Sequence, residues 1–108
     1  MTEVKVILNK GHIVSLTAQG HSGYGVEGED IVCAAASSII QTAALGLLKI
    51  AGINVKITKD DNKAYFKMEI PTLNDEDRHN ADMILDTMLC GIADLNEGYS
   101  DFIDLEVK

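Results

Sequence analysis

Eighteen consecutive residues, Ile31 to Leu48, carry no formal charge, in a chain of 108 residues of which 24% are charged. A run of that length either crosses a bilayer or forms a helix buried against the rest of the protein. Ser37, Ser38, Gln41 and Thr42 sit in its middle, and the residues before it, Glu27, Glu29 and Asp30, are acidic rather than basic. Both features disfavour a membrane span, so the expectation is a helix buried between a sheet and a neighbouring helix or subunit. Asp30 is the expected N-cap and Gly52 the expected stop.

The patterns on either side supply the sheet. Val4, Val6 and Leu8 alternate with more polar neighbours, Asn9-Lys10-Gly11 has turn chemistry, and Ile13 to Ala18 resumes an extended pattern. Beyond the apolar helix, Ile53, Val55 and Ile57 alternate, Asp60-Asp61-Asn62 turns, and Ala64, Phe66, Met68 and Ile70 alternate again. Asn74 can cap a second helix, with Asp75, Glu76 and Asp77 in its first turn and Ala81, Ile84, Leu85, Met88, Ile92 and Leu95 on one face up to Gly98. Ile103, Leu105 and Val107 alternate as a last strand. The order ββαββαβ predicts an α/β two-layer sandwich, a mostly antiparallel sheet with two helices on one face, in a single domain over residues 1–108. The first helix has more apolar surface than one sheet face covers, which predicts a homodimer.

Charge narrows the partners. Nine Lys plus Arg against seventeen Asp plus Glu give −8 and a pI near 4.6, so direct contact with nucleic acid is not expected. The alternating N-terminus, MTEVKVILNKGH, lacks the pattern of a signal peptide. Two cysteines, Cys33 and Cys90, are too few for a disulfide scaffold. The expectation is a cytoplasmic protein with free thiols.

Chemistry concentrates between the second strand and the first helix. Residues 20–30, GHSGYGVEGED, hold four glycines in eleven positions and follow no helical or strand period. With Asp30 as cap, Cys33 falls in the first helical turn, where unpaired amides and the positive dipole end favour a thiolate. His21 can fold back as general base and then protonate a leaving amine. The bland alternative is a small buried cysteine and a loop histidine. Four glycines, at 20, 23, 25 and 28, suit instead a loop that opens for a chain-like substrate. Asp30 either caps the helix or orients His21. Ser37, one turn after Cys33, faces the same side or bonds back to a helix carbonyl. Amides at the helix start can form an oxyanion hole. Cys90, beside Met88 and Leu89, is expected in the core, and His12 and His79 in solvent. The acids Asp75, Glu76, Asp77, Asp82 and Asp86 are expected on a solvated face. No CxxC or HxxxH spacing points to a metal, and no cofactor is expected.

Taken together, Gly20-His21, Gly28, Asp30-Ile31-Val32-Cys33-Ala34-Ala35 and Ser37 resemble the signature of the ribosomal-processing cysteine protease (Prp) family. The likeness in length and element order extends over nearly the whole chain. Ser22 stands where that family often has alanine, and Ala36 where it often has valine. The resemblance implies a cytoplasmic, homodimeric endopeptidase that removes a short N-terminal extension from a bacterial large-subunit ribosomal protein, the twenty-seventh. It implies Cys33 as nucleophile and His21 as general base, with Asp30 and Ser37 at supporting positions. The glycine loop, with Gly20, Ser22, Gly23, Tyr24, Gly25 and Gly28, would admit the substrate. Two other readings compete: a non-catalytic assembly factor that holds a basic ribosomal protein on the acidic surface, and a redox sensor at Cys33.

Overall fold

In the computed structural model, residues 1–20 and 29–108 are described. β1 (Thr2–Asn9) and β2 (His12–Gln19) form a hairpin, and α1 (Glu29–Leu45) continues into a π-helical turn (Gly46–Ile50). β3 (Lys56–Asp60), a short 3-10 turn (Asp61–Lys63) and β4 (Tyr65–Glu69) form the second hairpin, followed by α2 (Asp75–Gly98) and β5 (Ile103–Val107). The sheet order is β3-β4-β2-β1-β5. β5 runs parallel to β1, and the other neighbours are antiparallel. The element order and the mixed, mostly antiparallel sheet agree with the expectation.

The first hairpin closes through Lys10 and Gly11, both at positive φ (53° and 81°), the conformation that matches strand twist in a two-residue turn. The register shifts between Ile7, paired with Ser15, and Leu8, paired with Ile13. Val14 is therefore an extra residue in the ladder. That bulge reverses the parity of β2, so Ile13 and Leu16, three apart, are both buried.

One sheet face is covered. Val4 and Val6 are buried, whereas Glu3 and Lys5, which alternate with them, are exposed, as expected for a strand with helices on one side. From α1 and its extension come Val32, Ala36, Ile40, Ala43, Ala44 and Leu47, and from α2 Ala81, Leu85, Met88 and Ile92. These recur at helical spacing, so each helix buries one stripe. The helical run Ile31–Ile50 is long and apolar enough to cross a membrane by length and composition. Here its inner stripe packs in the core, while Ile31, Leu45, Leu48 and Ile50 remain exposed.

Local chemistry fixes the helix ends. Asn74 Oδ1 accepts the Asp77 amide at 2.8 Å, with the three expected acids in the first turn of α2. At the far end of α1, the amides of Ala51 and Ile53 donate to the carbonyls of Gly46 and Leu47 (3.0 and 2.8 Å), and Gly52 stops the helix at φ 66°.

Three expectations are corrected. α1 begins at Glu29, so Asp30 lies inside the first turn rather than capping it, a position where acids also favour the dipole. β3 begins only at Lys56, and Ile57 is exposed while Ile53 and Val55 are buried. Ile57 pairs directly with buried Met68 and so shares its face, but it sits on the edge strand, past the cover of the helices. Cys90 is exposed, not core, because it lies two residues after Met88, about 200° round the helix from the buried stripe.

Candidate active site

α1 carries Cys33, Ala36, Ser37, Ile40 and Gln41 along one wall of a cavity of about 260 Å³. Cys33 and Ser37 are one turn apart and share that wall, as expected from i, i+4 spacing. Starting α1 at Glu29 places Cys33 at the opening of the second turn rather than in the first. Its own amide is therefore not among the helix's unpaired donors. The cysteine is half-buried, so its sulfur belongs to the cavity rather than to the sealed core.

Sheet residues form the floor and the opposite wall: Thr2, Ala18, Gln19 and Gly20 from β1 and the end of β2, and Ala64, Tyr65 and Phe66 from β4 and its turn. The hollow has a sequence cause. Ala18, Gly20, Ala36 and Ala64 are small where larger side chains would fill the space between helix and sheet. Gly20 is required twice over: its φ is 87°, and a Cβ there would meet the Met1 carbonyl oxygen at 3.0 Å. Its amide donates to the Ala64 carbonyl (3.1 Å), and Ala64 itself is left-handed at φ 49°. This contact fixes the backbone immediately before His21.

Ser37 does not bond back to a helix carbonyl in the way considered above. Its Oγ accepts Gln41 Nε2 at 2.6 Å, which leaves the hydroxyl hydrogen available to a ligand. At the rim, Lys59 Nζ lies 3.6 Å from Asp61 Oδ1. Thr2 is buried, and its Oγ1 has no hydrogen-bond partner among the described residues. His21, Ser22, Gly23, Tyr24, Gly25 and Gly28 lie outside the described residues, as does the side chain of Asp30. Among the described residues, no three of His, Cys, Asp and Glu gather to hold a metal ion.

Sequence reasoning missed Gln41, Thr2 and the aromatic pair Tyr65 and Phe66. Two of these left a signal: Gln41 stands one turn beyond Ser37, and Thr2 is a polar residue in the inward register of Val4 and Val6. His12, expected in solvent, and Asp82, expected on a solvated face, are partly exposed and also paired: His12 Nδ1 lies 2.8 Å from Asp82 Oδ2, Arg78 Nε donates to Asp82 Oδ1 (2.9 Å), and Arg78 Nη2 donates to the Ile13 carbonyl (3.0 Å). This cluster ties the first hairpin turn to α2, far from the cavity.

Comparison with known proteins agrees with this geometry. The family described as cysteine protease Prp matches residues 1–104. The ribosomal processing cysteine protease Prp of Staphylococcus aureus is 32% identical over 110 residues, covering 100% of both chains. A crystal structure of an essential ribosomal processing protease Prp from S. aureus with a substrate peptide superposes with a TM-score of 0.89 at 28% identity, covering 100% of both chains. A second S. aureus structure, with a covalently linked product peptide, gives a TM-score of 0.86 at 29% identity over 100% of both chains. A half-buried cysteine on a helix wall, open to a cavity in this fold, fits that company, and the chain belongs to the cysteine protease Prp family.

Proposed function

We propose that this protein, acting as one domain in the cytoplasm, removes the N-terminal extension of the twenty-seventh large-subunit ribosomal protein by covalent catalysis at Cys33. Cys33 Sγ attacks the scissile carbonyl carbon while His21 accepts the thiol proton. The C–N bond then breaks, the imidazolium protonates the departing amine, and water hydrolyses the Cys33 thioester to return the free thiol. The observation that carries the reading is the half-buried Cys33 sharing a cavity wall with Ser37. A covalently linked product peptide in the S. aureus relative supports a covalent intermediate.

The supporting groups follow from position. Helical side chains lean toward the N-terminus, which directs Cys33 back toward the turn whose amides lack helical partners. Those amides are our choice of oxyanion donors. Ser37, with its oxygen engaged by Gln41, offers its hydroxyl hydrogen to the peptide. Asp30, within that first turn, supports the helix start or His21. The segment 20–28 contributes substrate contacts. A charge of −8 speeds encounter with a basic ribosomal protein more than it sets final affinity.

We also propose a homodimer. Ile39, Gly46, Met83 and Ile84 line an apolar groove between α1 and α2 of about 620 Å³, and Leu45 and Leu48 on the same helical run are exposed. A second copy covers this face, and a sedimentation mass near twice the chain's 11.7 kDa checks it.

The experiment incubates the chain with the ribosomal protein bearing its extension and follows mass. Shortening by wild type and none by Cys33→Ala is the expected result. No shortening by wild type, or undiminished shortening by Cys33→Ala, contradicts the reading. Binding without cleavage would restore the assembly-factor alternative.

A further inference from the structure

Thr2 holds the inward register of β1 that continues through Val4 and Val6, where an apolar residue would complete the face. It is 4% exposed, the single polar residue among the buried ones described. Its backbone is fixed: the amide donates to the Phe102 carbonyl at 2.9 Å, and its Cα pairs with Ile103 across the parallel ladder. Its Oγ1 has no hydrogen-bond partner among the described residues, and Thr2 lines the cavity that contains Cys33 and Ser37. A buried hydroxyl left unpaired costs stability, and valine has nearly the same shape without that cost.

We propose that Thr2 is a substrate-binding contact, its Oγ1 hydrogen-bonding a backbone amide of the peptide substrate opposite the Cys33 and Ser37 wall. This rests on the peptidase reading above and adds the group that holds the substrate from the sheet side. Ile40, Phe66 and Ala18 give the same cavity apolar surface. An amide entering there loses water and needs a partner, and Thr2 supplies it. A ligand lacking a hydrogen-bonding group at that point leaves Thr2 unpaired again, which is how a polar group in an apolar pocket discriminates.

The test measures kcat and KM on a peptide carrying the ribosomal protein's extension, together with the thermal midpoint of the free protein. Thr2→Val is expected to raise KM about tenfold, the scale of one lost hydrogen bond, to lower kcat less than KM rises, and to hold or raise the midpoint. Thr2→Ser keeps the hydroxyl and restores KM. Thr2→Ala, which removes the hydroxyl by shortening the side chain, gives the same rise in KM should Thr2→Val fail to fold. Unchanged KM in the variant without the hydroxyl overturns the inference, as does a lowered midpoint with kcat and KM impaired alike. If wild type cleaves the peptide and Thr2→Val cleaves it equally well, only the role of Thr2 fails. If wild type cleaves nothing, the substrate reading fails with it.

Discussion

The two ends of the first hairpin treat polar groups in opposite ways. At the turn, Asp82 receives both His12 and Arg78, and Arg78 also reaches the Ile13 carbonyl. At the other end, about 25 Å away for eight-residue strands, Thr2 Oγ1 is buried without a partner among the described residues and Cys33 lines a cavity. Polar groups that hold a fold together are paired within it. Groups that await a ligand keep bonding capacity unspent, at some cost to stability.

Substitutions at each end can break that contrast. The largest effect belongs to the two cysteines: Cys33→Ser should lower kcat/KM by on the order of 10⁴-fold, while exposed Cys90→Ser changes stability by no more than about 0.5 kcal/mol and leaves turnover intact. Peptide cleavage and thermal melts on both variants check this, and equal losses would erase the distinction. Gly20→Ala comes next, because the added Cβ meets the Met1 carbonyl at 3.0 Å on a left-handed backbone; calorimetry should show a loss of about 1–3 kcal/mol, accompanied by lower activity.

At the turn, Asp82→Ala should cost about 1 kcal/mol, since the pair is partly solvated. That is a fall of about 5 °C in midpoint, with kcat/KM unchanged. A loss of activity without a loss of stability would contradict the division of labour. The smallest effect is Gln41→Met, which frees the Ser37 hydroxyl to rotate and should lower kcat/KM by about threefold with no change in midpoint.

Much of the fold was legible because alternation and helical spacing are local. Asn74 with its three acids, Gly52 as a stop, and the Ala81, Leu85, Met88 and Ile92 stripe were all readable from neighbours in sequence. What escaped depends on distant pairing. The bulge at Val14 appears only once β1 is laid beside β2, and the exposure of Ile57 follows from β3 being an edge strand. The exposure of Cys90 follows from its angle round α2, which its apolar neighbours Met88 and Leu89 do not reveal.

The site divided in the same manner. Cys33 and Ser37 could be placed on one face because helix geometry links them over four residues. Thr2, Tyr65 and Phe66 come from strands that meet α1 only in three dimensions, and Gln41 gained meaning only through its 2.6 Å bond to Ser37. The start of α1, one residue before the expected cap, moved Cys33 from the first turn to the second. Composition could not fix that boundary, since Gly28, Glu29 and Asp30 all suit a helix start.

The most direct measurement is to treat the protein with a chloromethyl ketone built on the peptide that precedes the scissile bond, then locate the adduct by fragment mass. Attachment to Cys33 alone, with Cys90 unmodified although it is exposed, is the predicted result. An adduct on Cys90, or none on Cys33 while the peptide is demonstrably bound, would contradict the account.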